Sequence, residues 1–126
     1  MTILIAEDNV ILAKSIARRL RQVGFVVETV PSVADFYHSY VQNRYELICL
    51  DLQLPDGNGL DILDYSIRAN RDNVPVIVMT GTGTDEDRAR AERNAAAAFL
   101  IKPFALATLL QIVEQHVKTP SCAGAG

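Results

Sequence analysis

Charged and hydroxyl side chains follow four of the short apolar runs in this 126-residue chain. Glu7 and Asp8 come directly after the first of these runs, and Asp51 ends the apolar stretch "LICL". Thr80 and Lys102 follow two later runs in the same way. Aspartate is disfavoured beside buried strands unless it binds or hydrogen-bonds something, so this recurrence indicates a site rather than a set of unrelated surface residues.

The residue types predict a site for a cation and a phosphoryl group. Three carboxylates in one place repel one another, and Mg²⁺, which prefers oxygen ligands, removes that repulsion. Asp8 and Asp51 are candidates for direct ligands, with a backbone carbonyl just after Asp51, and Glu7 is a candidate for a ligand acting through water. Lys102 would bring a positive charge, and Thr80 a hydroxyl, towards a bound anion. One carboxylate then remains available as a nucleophile.

Each of these residues also has an ordinary structural explanation when it is considered alone. Asp51 suits a turn, and the Glu7–Asp8 pair suits the start of a helix, where carboxylates cap the backbone and meet its dipole. Lys102 alone would be a solvated surface charge. Pro103 suits a turn that enters a helix, and the bond before it can be cis. The functional explanation is favoured because these features recur at the ends of successive runs.

The elements that must position these side chains alternate along the chain. Most of the apolar runs are apolar on both faces, as in parallel strands covered by helices above and below. Between the runs, apolar residues recur at spacings of three and four. This alternation predicts an α/β fold, a doubly wound five-stranded parallel sheet whose C-terminal strand ends form the ligand-binding edge. The predicted strands are Ile3–Ala6, Phe25–Val30, Leu47–Leu50, Val76–Met79 and Ala97–Ile101.

Helix boundaries are indicated by capping residues. Ser32 and Thr84 each precede an aspartate by three residues, the spacing of a capping box. Gly24 is expected just after the end of the first helix. The fourth helix, roughly Thr84–Arg93, carries almost no apolar stripe. We therefore expect it to pack weakly and to shift easily.

Composition limits the function classes. The net charge is −3, from 12 basic and 15 acidic residues, so no basic face for direct nucleic-acid binding is expected. No apolar run is long enough for a membrane span, and the N-terminus does not resemble a signal peptide. Cys49 and Cys122 do not form a disulfide framework, which suits the cytoplasm. We expect one domain over residues 1–118, and a flexible tail or the start of a linker at 119–126.

The motifs resemble the receiver domain of two-component response regulators over about residues 2–118. The stretches "ILIAEDN", "LICLDLQLPDGNGLDIL", "VIVMTG" and "AFLIKPF" match that family in order. The resemblance implies a flavodoxin-like (β/α)5 three-layer sandwich with the strand order 2-1-3-4-5.

The resemblance also implies roles for the acidic residues. Asp51 would be the phosphoacceptor. Its phosphoryl group would come from a sensor histidine kinase or a phosphotransfer protein. Glu7, Asp8, Asp51 and the backbone carbonyl of Gln53 would bind Mg²⁺, with Mn²⁺ as a substitute. Gln53 and Thr82 match positions that tune the lifetime of the phosphoryl group in this family.

The remaining roles concern the phosphoryl group and the switch. Thr80 would hydrogen-bond the phosphoryl group, and Lys102 would pair with it. Phe99 occupies the aromatic switch position, whose ring turns inward when Thr80 moves. Gly81 would leave room beside the phosphoryl group, and Pro103 would follow a cis peptide bond.

The function implied by the resemblance is a phosphorylation-dependent signalling switch rather than an enzyme with a separate substrate, although the domain would promote its own phosphotransfer and dephosphorylation. Phosphorylation would change the face formed by the fourth helix, the fifth strand and the fifth helix. Partners would be a kinase, docking on the first helix near Leu12 and Ala13, and a downstream effector domain or protein. Whether phosphorylation drives homodimers is left open.

Two positions depart from the family pattern. Ala95 and Ala96 stand where a Gly-Ala pair is usual, so we expect Asn94 to take the left-handed conformation at the end of the fourth helix. The first acid is Glu7 rather than aspartate, which lengthens its reach by one methylene. Neither departure removes a reactive group.

Three other functions fit the sequence less well. A phosphatase of the haloacid-dehalogenase type also uses an aspartyl nucleophile, but it needs a second acid two residues later, and Gln53 stands there. A receiver fold that binds partners without phosphorylation is disfavoured because Thr80 and Lys102 are retained. A flavin or nucleotide module is disfavoured because "TGTG" at 80–83 matches no nucleotide-binding motif.

Overall fold

Five parallel strands form the central sheet of the computed structural model, which describes residues 2–68 and 73–117. The order across the sheet is β2-β1-β3-β4-β5, so the expected fold and strand order are confirmed. Each strand boundary lies within one residue of its prediction. The strands are β1 (Thr2–Ala6), β2 (Val26–Val30), β3 (Leu47–Asp51), β4 (Val76–Thr80) and β5 (Ala98–Ile101).

Five helical segments cover the two faces of the sheet. One core layer contains apolar residues of the first and last helices, and the other contains residues of the three helices between them. The chain is therefore doubly wound, because helices pack on both sides of one parallel sheet. The helices are α1 (Val10–Gln22), α2 (Val33–Tyr40), α3 (Gly59–Ile62), α4 (Asp85–Arg93) and α5 (Leu106–His116).

Burial follows strand position. Every residue of β3 and β4 is buried, because neighbouring strands and helices cover both strands on all sides. The edge strand β2 is different: Val26 is 61% exposed. At the other edge, β5 is only partly buried. The expectation of two apolar faces thus holds for the central strands and fails at the edges, where helices cover less of the strand.

The third helix differs from the predicted regular helix. It is α-helical over Gly59–Ile62 and continues as a π-helix over Leu63–Arg68. The predicted apolar stripe is nevertheless buried, including Leu60, Leu63 and Ile67. A π-helical turn has a wider hydrogen-bond spacing than an α-helical turn, and an apolar spacing of three and four does not distinguish the two.

The predicted caps are present. The Asp35 backbone N–H donates to Ser32 Oγ at 3.1 Å, and the Asp87 N–H donates to Thr84 Oγ1 at 3.0 Å. Gly24 has a φ of 100°, in the left-handed region that glycine adopts at the ends of helices.

The expectation for the end of α4 was wrong. Asn94 has a φ of −97°, and Ala95 takes the left-handed conformation with a φ of 56°. The neighbouring Arg68 side chain donates to the carbonyl of Asn94 at 2.6 Å and to that of Ala95 at 3.2 Å. These contacts, made by a distant segment, stabilise an end that lacks glycine.

A two-stranded antiparallel hairpin follows β3 and was not predicted. It pairs Gln53–Leu54 with Gly57–Asn58, a ladder of only two residues on each side. Within the described ranges, no helix is long and apolar enough to cross a bilayer. The tail predicted at 119–126 lies outside the described residues.

Candidate functional site

The C-terminal ends of the parallel strands bring the predicted side chains to one edge of the sheet. Asp51, the last residue of β3, is in register with Met79 of β4. Thr80 ends β4, and Glu7 follows β1 directly. Glu7, Asp51 and Thr80 are buried, with at most 2% of each exposed, whereas Asp8 is exposed.

Lys102 connects the two buried carboxylates. Its Nζ lies 3.2 Å from Asp51 Oδ2 and also forms a close ion pair with Glu7 Oε1. Burial alone would lower the pKa of Lys102, but the bond to Glu7 and the charge of Asp51 together raise it above its ordinary value. The ammonium therefore stays charged at this edge of the sheet.

Glu7 is short of hydrogen-bond donors. Its Oε2 accepts from the Asn9 backbone N–H at 3.1 Å, whereas the buried Oε1 has the Lys102 ion pair but no hydrogen bond of normal geometry. Burial, with a smaller contribution from the neighbouring Asp51, raises the pKa of Glu7 to about 7 against the lowering effects of Lys102 and the Asn9 N–H. When ionised, this carboxylate needs another cation.

The three acids are placed to bind such a cation. Glu7, Asp8 and Asp51 each offer an oxygen, and these ligand atoms all lie within 4.8 Å of one another. Among the residues that the structure describes, the Lys102 ammonium is the only cation paired with this cluster, against three negative charges when all three acids are ionised. A set of carboxylate oxygens with an under-coordinated buried member is the chemistry that Mg²⁺ or another hard divalent cation binds. The residues therefore fit a divalent cation.

The backbone after Asp51 is tightly packed against it. The Gln53 N–H donates to Asp51 Oδ1 at 3.1 Å, and the Gly59 N–H donates to the Leu52 carbonyl at 3.0 Å. A Cβ at Gly59 would lie 2.3 Å from the Asp51 carbonyl oxygen, so only glycine fits there. The requirement at Gly59 was not predicted, because it depends on two backbone segments approaching in space.

The loops after β3 and β4 meet across the mouth of the site. Gln53 Nε2 donates to Thr82 Oγ1 at 3.0 Å. The Thr80 hydroxyl accepts from the Thr82 N–H at 3.1 Å and donates to the Thr82 carbonyl at 3.3 Å. A Cβ at Gly81 would meet nothing within 4 Å, so space is open beside Thr80.

The predicted switch residue Phe99 is half-buried on β5. The Arg88 guanidinium lies 4.8 Å from the centre of its ring, a cation–π contact from α4. Gly83 lies against the same ring, because an added Cβ would be 3.3 Å from Phe99 Cε1. Neither Arg88 nor Gly83 carried a sequence signal, since each depends on how the loop before α4 approaches β5.

Lys102 and its neighbours also border an open cleft beside the site. The peptide bond between Lys102 and Pro103 is cis. The cleft has a volume of about 390 Å³ and lies between the start of α1 and the loop before α5. Its lining residues are Asn9, Leu12, Lys102, Pro103 and Phe104.

Comparison with known proteins identifies the family. The family model described as the response regulator receiver domain matches residues 3–114. The chain belongs to the response regulator receiver family. This assignment favours the phosphoacceptor hypothesis over the phosphatase and nucleotide-binding alternatives.

Curated relatives of this receiver are longer regulators. It is 37% identical over 114 residues to the swarming motility regulation protein RssB of Serratia marcescens, covering 90% of this chain and 52% of the relative. It is 37% identical over 110 residues to the transcriptional regulatory protein CusR of Escherichia coli K12, covering 87% of this chain and 48% of CusR. The receiver thus spans about half the length of these relatives.

A solved receiver has the same fold. The non-phosphorylated HemR receiver domain of Leptospira biflexa superposes with a TM-score of 0.85 at 31% identity, covering 93% of this chain and 94% of that one. The β2-β1-β3-β4-β5 sheet is therefore the receiver sheet, and its C-terminal edge is where the acidic residues of this chain meet.

Proposed function

We propose that this receiver accepts a phosphoryl group on Asp51 and acts as a phosphorylation-dependent signalling switch. The donor is the phosphohistidine of a sensor histidine kinase or a phosphotransfer protein. The observation that supports this best is the contact between the Lys102 ammonium and Asp51 Oδ2, 3.2 Å apart, beside a cluster of carboxylate oxygens. A cation beside a reactive carboxylate reduces the repulsion that an incoming phosphoryl group would otherwise meet.

The reaction is an in-line displacement. An Asp51 carboxylate oxygen bonds to phosphorus as the bond from phosphorus to the histidine nitrogen breaks, and the electron pair leaves with the imidazole. Lys102 Nζ pairs with a phosphoryl oxygen, and Thr80 offers its hydroxyl to another. Glu7, Asp8, Asp51 and the Gln53 carbonyl would hold Mg²⁺, or Mn²⁺ in its place, which would neutralise charge on the transferred group.

Dephosphorylation is part of the same activity. Water attacks phosphorus, the bond to Asp51 breaks, and the carboxylate is regenerated. Gln53 and Thr82 lie at the mouth of the site and hydrogen-bond to each other at 3.0 Å, so they control how water reaches it. The domain promotes its own phosphotransfer and hydrolysis in this way, without acting on a separate substrate.

The switch starts at Thr80. Its hydroxyl is bonded to the backbone of Thr82, and a phosphoryl oxygen on Asp51 would draw it away. Phe99 then turns into the vacated space and leaves its contact with Arg88, which changes the α4-β5-α5 face. To shift the ratio of the switched to the resting conformation from 1:99 to 99:1, phosphorylation would have to favour the switched conformation by about 5.5 kcal/mol. Since a charge-assisted hydrogen bond contributes about 1.5–3 kcal/mol, we expect a graded population shift.

The kinase-docking surface is proposed at the start of α1. Ala13, named from the family resemblance, is only 5% exposed and so cannot form much of it. Val10 and Ile11 are 58% and 80% exposed, and Leu12 lines the cleft beside Lys102. An apolar patch this close to Asp51 suits a partner that must deliver a phosphoryl group there.

The output of the receiver is proposed to pass to an effector domain or protein. The matched relatives are about twice the length of the aligned region, which supports an effector beyond residues 1–118. The cytoplasm is the proposed location, since kinases of this type present their phosphohistidine there. Dimerisation through the α4-β5-α5 face is a hypothesis for the phosphorylated form.

The function is tested by incubating the protein with acetyl phosphate and Mg²⁺ and measuring its intact mass. The wild type is expected to gain one phosphoryl group, which is lost on standing. Asp51→Asn should gain none, because an amide cannot form the acyl phosphate. Glu114→Gln, at an exposed position on α5, should behave as the wild type. The proposal is rejected if the wild type gains nothing or if Asp51→Asn is still labelled.

A further inference from the structure

The hairpin after β3 is attached to the start of α2 by one carboxylate. Asp56, at the hairpin tip, accepts from the Val33 N–H through Oδ1 at 2.7 Å and from the Ala34 N–H through Oδ2 at 3.1 Å. These partners lie more than 20 positions away in sequence. The carboxylate is exposed, yet both of its oxygens have a backbone donor.

The first turn of α2 is capped from two sources. The first N–H groups of a helix have no partner within it. Ser32 Oγ, the local N-cap, takes the N–H of Asp35, and Asp56 takes the two N–H groups before it. The two N–H groups lower the pKa of Asp56. Asp56 is therefore a charged cap supplied by another loop, favourably placed at the positive end of the helix dipole.

The hairpin is fixed at both ends. At its tip, a Cβ at Gly57 would lie 2.9 Å from Val33 Cγ2, so the turn lies directly on α2. At its base, the Gln53 N–H donates to Asp51 Oδ1, and Gly59 packs on the Asp51 carbonyl. The segment that carries the Gln53 carbonyl is thus held between the phosphoacceptor strand and α2.

We propose that Asp56 is a positioning residue of the phosphorylation site, which fixes the Gln53 carbonyl and the Asp51 carboxylate for cation binding by tying the hairpin to α2. This inference rests on the proposed function. Asp56 acts through the backbone of the hairpin and does not itself contact the cation. Released from α2, the hairpin would sample other positions of the Gln53 carbonyl, and the cation would lose a fixed ligand.

The matched comparison is between two caps of the same helix. Asp56→Ala removes the cap that connects α2 to the hairpin. Ser32→Ala removes the local cap of α2, which makes no connection to the hairpin. Asp56→Asn keeps the shape and one acceptor oxygen but loses the charge. Mn²⁺ binding is measured by electron paramagnetic resonance, thermal unfolding is measured in EDTA, and acetyl phosphate labelling is measured over a Mg²⁺ titration.

Asp56→Ala is expected to weaken Mn²⁺ binding about tenfold, the lower end for residues that orient a ligand. The half-saturating Mg²⁺ concentration for labelling should rise by the same factor. The labelling rate at saturating Mg²⁺ should change by less than about twofold, because a fully bound cation restores the ligand geometry. Asp56→Asn should lie between Asp56→Ala and the wild type. Ser32→Ala should lose comparable thermal stability and bind Mn²⁺ as the wild type does.

The inference is overturned if Asp56→Ala binds Mn²⁺ as tightly as the wild type, or if Ser32→Ala weakens binding equally. If Asp56→Ala does not fold, the comparison of Asp56→Asn with Ser32→Ala decides in the same way. Failure of the proposed function is separate: a wild-type protein that takes no phosphoryl group from acetyl phosphate refutes that function, and the Mn²⁺ titration still decides the role of Asp56.

Discussion

Lys102 neutralises charge at this edge of the sheet. Its ammonium bridges Glu7 and Asp51, two carboxylates that are almost fully buried. Removing the Lys102 ammonium would leave these two buried carboxylates without their cation, which is strongly destabilising. A bound divalent cation would take over part of this neutralisation and leave Lys102 able to meet a phosphoryl oxygen.

Glu7 makes the free energy of unfolding in EDTA sensitive to pH. Its folded-state pKa is about 7 against an ordinary value of 4.5, so the folded state holds this proton more tightly than the unfolded chain. The resulting stability is complete below pH 4.5 and is lost as the pH rises through 7. We therefore predict that Glu7→Gln unfolds at a higher urea concentration than the wild type above pH 7 in EDTA, by about 1.4 kcal/mol for each pKa unit removed.

The Glu7 measurement is a series of urea titrations in EDTA from below pH 4.5 to above pH 7. The wild-type free energy of unfolding should fall relative to that of Glu7→Gln across this range. Glu114→Gln, at an exposed position, is the control and should follow the wild type. Parallel curves for the wild type and Glu7→Gln would contradict the prediction.

The placement of Asp51, Thr80 and Lys102 at one edge of the sheet could be predicted from the sequence because each stands directly after an apolar run. Strand ends are visible in a hydrophobic pattern, and a parallel sheet brings those ends to one edge. The contacts of Gly59, Gly83 and Asp56 could not be predicted in this way. Each depends on the distance between segments far apart in sequence, which no local pattern encodes.

The helix α4 is held to its neighbours mainly by arginines. Only Ala91 of its nine residues is buried. Arg90 pairs with Asp61 at 2.8 Å and with Asp64 at 3.4 Å, both on the third helical segment. Arg68, from the end of that segment, donates to the carbonyls of Asn94 and Ala95, which follow α4 directly. Polar attachment of this kind allows movement at a small energetic cost, which suits an element that must shift.

Loss of the Arg90 contacts should loosen α4 without unfolding the domain. Arg90→Ala is expected to lower the free energy of unfolding by less than about 1 kcal/mol, because partly exposed ion pairs contribute little. Amide exchange within residues 85–93 should nevertheless become faster, as measured by hydrogen–deuterium exchange mass spectrometry. Arg93→Ala is the matched control, since Arg93 has no ion pair within the described residues. Equal exchange in both variants would show that α4 is held by other contacts.

The elements themselves were predictable, and their irregular parts were not. Apolar runs located all five strands, and apolar spacing located every helix except α4, which has almost no apolar stripe and was indicated by its cap at Thr84. It did not distinguish the π-helix at Leu63–Arg68 from an α-helix, because both bury the same stripe. It also placed the left-handed residue at Asn94 rather than Ala95, because the Arg68 side chain that stabilises the observed ending comes from another helix.

Ala95 carries a conformational cost that glycine would remove. With a φ of 56°, its Cβ lies close to the following backbone, which costs about 1–2 kcal/mol. Ala95→Gly is therefore expected to raise the free energy of unfolding by about 0.5–1 kcal/mol, after the larger entropy of unfolded glycine is deducted. Ala107→Gly, within α5, should lower it by about 1 kcal/mol. Urea unfolding of both variants is the measurement, and destabilisation by Ala95→Gly would contradict the prediction.

At the scale of the whole molecule, the cation site exists only in the folded chain. Glu7 and Asp8 follow β1 and Asp51 ends β3, two neighbouring strands separated by 40 residues of sequence. Folding brings their oxygens within 4.8 Å of one another. An unfolded chain cannot reproduce this arrangement, so a cation bound there would stabilise the folded state.

Mg²⁺ should therefore stabilise the entire domain. At a concentration 100 times its dissociation constant, a ligand that binds only the folded state adds about 2.7 kcal/mol to the free energy of unfolding. We predict this increase in urea titrations of the wild type with Mg²⁺ compared with EDTA. Asp8→Asn should lose most of it, because Asp8 is exposed and its replacement removes a ligand charge without disturbing the core. An equal response of both proteins would mean that Mg²⁺ acts elsewhere on the surface and not where β1 and β3 end.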